Sequence, residues 1–189
     1  MLEHLVQLDQ EVFLFLNGLG TETWDGFWMF MTNSKSAIPL YLVLLVLAYR
    51  TFRLKKTVLI LIAVALLITC TDQLSNFFKY GVQRLRPCHD PEISEIMRLV
   101  KSYCGGKFAY FSAHAANSFA VASFFAFLFR RRIKYLGILL MIWAGLVAYS
   151  RIYIGVHYPL DVLTGMFVGV LFGWVFSKLS IFAFHKIGV

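Results

Sequence analysis

His157 and Asp161 stand four residues apart in the stretch Ser150-Arg151-Ile152-Tyr153-Ile154-Gly155-Val156-His157-Tyr158-Pro159-Leu160-Asp161, with Arg151 six residues before the histidine. A carboxylate so placed can hold one ring nitrogen of an imidazole and fix its tautomer. The stretch lies between two long apolar runs, and a charge at the centre of a membrane-spanning helix costs about 2.5–3.5 kcal/mol even on a lenient scale. Ionisable residues in such a place are functional candidates. Two further clusters offer compatible chemistry: Lys79 and Arg86 before Pro87, and Ser112, Ala113 and His114. Lys79, Arg86 and Arg151 carry the positive charge that a phosphoryl group in transfer needs around its oxygens, and guanidinium forks donate to it in pairs. Ser112 is suited to N-cap a following helix, which would turn backbone N–H groups and the helix dipole toward the same anion. Ala113 keeps its N–H for that contact.

The elements that must position these residues follow from composition. The chain has 189 residues, 59% of them hydrophobic, 17% aromatic and only 15% charged. Mean hydropathy is +0.71. A water-soluble domain of this size does not carry such a surface, so the chain reads as an all-α integral membrane protein with a single domain over residues 1–189. The net charge of +8 is distributed beside apolar spans rather than along a soluble face, which argues against nucleic acid as a partner. Residues 1–20 include Glu3, Asp9 and Glu11 and lack the pattern of a cleaved signal.

Apolar residues Leu2, Leu5, Val6, Leu8, Val12, Phe13 and Leu16 share one helical face, with Glu3, Gln7, Asp9, Gln10 and Glu11 elsewhere. That pattern suits a helix lying in the membrane interface. Residues 17–20 break it, and the aromatic segment Trp24 to Met31 completes an interfacial or re-entrant hairpin over 1–36. Spans are expected over Ala37–Tyr49, Thr57 to about Phe78, Phe111–Phe129, Ile133–Tyr149 and Val162 to about Phe184, giving a bundle of five to six transmembrane helices. Two turns and the tail hold Arg50, Arg53, Lys55, Lys56, Arg130, Arg131, Arg132, Lys134, Lys178 and Lys186, which is 10 of the 18 Lys+Arg, with no acidic residue among them. The positive-inside rule makes that face cytoplasmic. The loop over 80–110 and the segment Arg151 to Tyr158 then meet on the other side.

The order K-x6-R-P from Lys79 to Pro87, S-x-H from Ser112 to His114, and S-R-x5-H-x3-D from Ser150 to Asp161 resembles the three-part signature of the type-2 phosphatidic acid phosphatase family of membrane lipid phosphatases. The first and third parts match in full. The middle part usually reads Pro-Ser-Gly-His in the family, and here Phe111 and Ala113 replace the proline and the glycine. The resemblance implies that His157 attacks phosphorus to form a phosphohistidine, that Asp161 orients it, and that His114 protonates the leaving oxygen. Lys79, Arg86, Ser112, Ala113 and Arg151 would bind the phosphate. Two histidines beside three cations, without a carboxylate cluster, make a poor divalent-cation site, so no metal or other cofactor is expected. Undecaprenyl diphosphate is the first substrate expected. Phosphatidylglycerol phosphate, phosphatidate and lipid A 1-phosphate follow, with the site facing outward from a bacterial cytoplasmic membrane.

Each residue alone has a plainer role available: a lone interfacial histidine usually packs, Asp161 suits a helix N-terminus, and the cations could snorkel. A membrane transporter that binds anions could use the cations but has no need of His157 with Asp161. All eight motif positions falling at helix ends on one face favours the enzyme. Asp72, Ser75 and Asn76 lead helically toward Lys79, and Asn117 and Ser118 follow His114; both groups suit either interhelical contact or support of the site. Gly165, Gly169 and Gly173 lie on one helical face and suit close packing. Arg84 and Lys107 are expected as solvated loop charges. Between Cys88 and Cys104, Ile93, Ile96, Met97 and Leu99 suit a short amphipathic lid. On a face outside the cytoplasm those two cysteines are expected to pair, a closure worth roughly 3 kcal/mol.

Overall fold

A computed structural model describes residues 2–186 of the chain, and among them the regular structure is helical, apart from a single bridge between Leu85 and Phe108 in the long loop before the fourth helix. The helices are α1 (Leu2–Gly18), α2 (Glu22–Thr32), α3 (Ile38–Val82), α4 (Ala113–Phe129), α5 (Leu136–Tyr153) and α6 (Pro159–Lys186). Helix α3 is two spans in one, because Arg53 leaves the helical region with φ 63° and ψ 176°. Leu44, Leu45 and Ala48 line the same small cavity as Ile60, Leu61, Val64 and Ile68, so the chain folds back on itself at Arg53. With that reversal the bundle has five apolar rods, as the hydropathy pattern predicts. Helices α3, α5 and α6 are long and apolar enough to cross a membrane.

The centre of the bundle is α4. Its residues from Ala115 to Phe125 are almost all buried, and it packs most extensively against α6 and α5. The glycines of α6 make the first of these contacts possible. A Cβ on Gly165 would stand 2.6 Å from the Ser112 carbonyl oxygen, and one on Gly169 would stand 2.3 Å from that of Ala116. The small-residue face is thus spent on packing within the chain, and it brings the start of α4 against the start of α6.

Helices α1 and α2 pack chiefly on α5 and on the beginning of α6. Much of the expected apolar face of α1 is turned outward, with Leu5, Val6, Leu8 and Val12 exposed. What packs on the bundle is Asp9, Phe13 and Asn17, spaced by one helical turn and all buried. The docking surface is therefore a mixed stripe, in which Phe13 of the apolar face is flanked by Asp9 and Asn17. Asn17 donates from Nδ2 to the carbonyls of Arg98, Ile152 and Tyr153 and accepts from the Arg98 N–H. One residue of α1 so satisfies the frayed end of α5 and the neighbouring loop.

Cys88 and Cys104 are joined by a disulfide. The segment between them is a series of turns rather than the expected amphipathic helix. Asp90 opens the first of these turns, its side chain accepting from Glu92 N–H and its carbonyl from the Ile93 and Ser94 N–H groups. Ile93 is nonetheless buried against the main core.

Candidate active site

Helix ends bring the three motif clusters to one end of the bundle. Ser112 is the N-cap of α4, its side-chain oxygen accepting from Ala115 N–H at 3.5 Å, and its own N–H donates to the Asp161 carbonyl at 3.0 Å. Pro159 starts α6, where its missing N–H costs nothing. Asp161, one turn in, reaches back to accept the Tyr158 N–H at 3.0 Å, the acidic half of a capping box. Helix α5 runs to Tyr153, four residues beyond the expected end, so Arg151 lies in its last turn. Gly155 then turns the chain with φ +82°, and a Cβ there would come within 2.3 Å of Met97 Cε. Only glycine allows that turn beneath the loop.

His157 sits in the short link between α5 and α6 and is 2% exposed. Its Nδ1 lies 3.6 Å from Asp161 Oδ2, too far for a hydrogen bond but on the side facing the carboxylate. Burial, with the charges of Arg151, Arg86 and Lys79, pushes this imidazole well below its ordinary value. The ring is therefore neutral at pH 7, the form in which a nitrogen lone pair is free.

The cations around it are held in different ways. Arg86 donates from Nε to the Phe108 carbonyl and from Nη1 to the Cys104 carbonyl, at 3.3 and 3.1 Å. Buried Arg151 donates through Nη1 to Thr32 Oγ1, while its Nε has no partner among the described residues. His157 Nδ1 is likewise buried and unpaired. Lys79 is half-buried at the end of α3. Ala113 and His114 open α4, and His114 borders a cavity of about 250 Å³ with Thr32, Asn33, Ser34, Asn117 and Ser118. Asp72 accepts from Asn117 Nδ2 at 2.8 Å and Ser75 donates to the Phe111 carbonyl at 2.9 Å, so the polar stripe of α3 grips the start of α4. Lys79, Arg86, Ser112, Ala113, His114, Arg151, His157 and Asp161 all lie at this end. A phosphate monoester placed among them would meet three cations, an open helix N-terminus and two imidazoles.

Sequence reasoning missed the supports behind Asp161. Arg84, expected as a solvated charge, donates to Asp9 Oδ2 at 2.6 Å and to Asp161 Oδ1 at 3.2 Å. Its guanidinium stacks 4.1 Å above the Tyr158 ring. Asp9 also accepts the Leu160 N–H at 2.8 Å, capping α6 from another helix. The signal was Asp9 itself, an acid one turn before Phe13 and two before Asn17 on a helix otherwise meant for lipid.

The sequence pattern of the PAP2 superfamily matches residues 56–183. The chain belongs to the PAP2 superfamily. It is similar to a lipid A 4'-phosphatase of Bacteroides thetaiotaomicron, 37% identical over 190 residues, covering 99% of this chain and 81% of the relative. An undecaprenyl-diphosphatase of Sulfolobus acidocaldarius is 29% identical over 95% of this chain and 80% of its own. Among solved structures, a transmembrane PAP2-type phosphatidylglycerolphosphate phosphatase from Bacillus subtilis superposes with a TM-score of 0.73, covering 93% of this chain and 86% of that one, at 19% identity. That last likeness establishes the fold alone. As a PAP2 protein the chain is a membrane-embedded phosphatase.

Proposed function

We propose that this PAP2 protein hydrolyses a phosphate monoester on the saccharide head of a lipid A-type glycolipid. The observation that carries the reading is the likeness to a lipid A 4'-phosphatase across nearly the whole chain, α1 and α2 included. The cavity beside His114 supports it, because it leaves room next to the leaving group for part of a sugar ring, with Tyr41 and Trp143 offering aromatic faces and Asn33 and Ser34 polar groups. Undecaprenyl diphosphate is the second reading, favoured by the relative that bears that activity in its name and matches 95% of this chain.

His157 Nε2 attacks phosphorus in line, since Nδ1 is the nitrogen turned toward Asp161. A nitrogen–phosphorus bond forms, the bond from phosphorus to the lipid oxygen breaks, and His114 gives that oxygen its proton. Water, deprotonated by His114, then attacks the phosphohistidine and releases inorganic phosphate. Lys79, Arg86, Arg151, the Ser112 hydroxyl and the Ala113 N–H carry the negative charge throughout. Asp161 orients His157 and stabilises it as charge develops. No metal enters these steps. The head would be cleaved at the outer face of a bacterial cytoplasmic membrane, a placement supported by the basic residues at the opposite end.

Purified protein with EDTA should be offered lipid A bearing only a 4'-phosphate, lipid A bearing only a 1-phosphate, undecaprenyl diphosphate, phosphatidylglycerol phosphate and phosphatidate. The reading expects fastest phosphate release from the 4'-phosphate. Fastest release from undecaprenyl diphosphate would select the second reading, and release from none would sink both.

A further inference from the structure

At the end of the bundle remote from His157, three elements enclose a cavity of about 750 Å³. They are the turn within α3, the link from α4 to α5, and the last turns of α6. Helix α4, at 1.5 Å per residue, separates this cavity from the motif cluster by roughly 25 Å. Lys56, Arg130, Arg131 and Arg132 line it, over a floor that includes Phe52 and Phe184. The Lys56 ammonium lies 5.6 Å from the centre of the Phe184 ring and the Arg132 guanidinium 5.2 Å from that of Phe52. The two rings are themselves packed at 5.4 Å. Aromatic faces thus draw cations from two different elements toward one hollow.

Among the described residues no carboxylate side chain balances this charge. Every Asp and Glu of the chain lies at or before Asp25, at Asp72, between Asp90 and Glu95, or at Asp161. Among the described residues, the ion pairs all involve Arg84, Arg98 or His157. A topological signal requires positive charge on this face but not its convergence. Arg50, Lys55 and Lys178 satisfy the same signal without lining the cavity. Beside the hollow, Leu54, Leu179 and Phe182 present exposed apolar surface of the kind acyl chains cover.

We propose that this cavity binds the phosphate headgroup of an anionic membrane lipid, with the guanidinium groups on the phosphate and the tails along α3 and α6. The site is distinct from the one that hydrolyses substrate, and it stands or falls independently of the reading above. The shared chemistry is a clustered phosphate, so a soluble polyphosphate is the competing source.

Native mass spectrometry of the full chain, released from detergent, can count bound diphosphatidylglycerol, phosphatidylcholine and inorganic pyrophosphate. The unaltered protein should hold diphosphatidylglycerol at least about tenfold more tightly than phosphatidylcholine. The triple variant Lys56→Gln, Arg131→Gln, Arg132→Gln should lose about tenfold or more, and Arg50→Gln, Lys55→Gln, Lys178→Gln, with equal loss of charge, less than about threefold. Arg131→Gln alone, an exposed position, should give an intermediate loss and covers the case in which the triple variant fails to fold. Equal loss in the two triple variants, or no preference over phosphatidylcholine, would overturn the proposal. Pyrophosphate binding as tightly as the lipid would overturn the lipid in favour of a soluble ligand.

Discussion

Arg84 grips Asp161 at 3.2 Å through the carboxylate oxygen that faces away from His157, leaving the other oxygen 3.6 Å from His157 Nδ1. The aspartate cannot rotate without giving up the arginine, the Tyr158 N–H, or both. Asp9 holds the same arginine at 2.6 Å, so a residue of the first helix fixes the aim of a side chain near the end of the chain.

Loosening this chain should slow turnover more than binding. Arg84→Gln is expected to lower kcat by about 10–100-fold with a smaller change in KM, the usual size for a supporting partner. Asp9→Asn should act in the same direction, and Arg84→Lys should recover part of the loss. Steady-state kinetics on one lipid phosphate decides it. A normal kcat with a raised KM would instead make Arg84 a substrate contact.

The two imidazoles should separate by leaving group. His157→Ala is expected to abolish turnover while vanadate, as a phosphate analogue, still binds. His114→Ala should cost about 10²–10⁴-fold on an alkyl lipid phosphate. On p-nitrophenyl phosphate, whose leaving group needs no proton, the penalty on the first step should shrink. Equal losses on both substrates in a single-turnover measurement would remove His114 from the acid role.

A pH profile tests the state of His157. Attack needs neutral imidazole, and burial with three nearby cations lowers the pH at which the ring takes up a proton. The acid limb of kcat/KM, which reports the free enzyme, should therefore lie below the ordinary imidazole value of about 6.5. Lys79→Gln removes a positive charge, so it should move that limb upward. The substrate's own ionisation is common to both proteins and cancels in the comparison. A limb that stays in place would show that another group governs it.

Gly155 gives a stability prediction. Alanine there must adopt φ near +82° and set its Cβ against Met97 and the Arg98 carbonyl. A loss of about 1–3 kcal/mol is expected, seen as a lowered Tm in detergent. Compared with Met97→Ala alone, the double variant Gly155→Ala, Met97→Ala should show a smaller loss, by the part due to the Met97 clash. An unchanged Tm in the single variant would mean that the loop yields freely.

Much of this architecture was legible in the sequence because membranes simplify the code. Apolar runs marked the spans, and the basic turn around Arg53 marked the reversal that joins two of them. The motif residues could be grouped because each sits at a helix end, where topology alone decides the side. Arg84 was not legible, since both its carboxylates come from distant sequence, at Asp9 and Asp161. Helix α1 was half legible: Leu5, Leu8 and Val12 stay exposed, but Asp9 and Asn17, which would meet water on a soluble protein, dock beside Phe13. The segment between the two cysteines differs from the expected helix without a cause in its local hydrogen bonds, since the Ser94 and Met97 N–H groups bond four residues back as they would in a helix.

Arg86 takes its posture from the carbonyl of Cys104, whose sulfur is tied to Cys88 only two residues along from that arginine. A guanidinium that would meet phosphate is thus aimed by a bond that thiol-rich cytosol does not sustain. With the outward-facing site proposed above, the chain would be made where that bond is absent and would mature where it forms. Its own export would then act as the latch, keeping a phosphate-cleaving centre slack until it has left the compartment richest in phosphate esters. Turnover that falls on reduction, and falls likewise in Cys104→Ser, would mark the latch; activity indifferent to both would dismiss it.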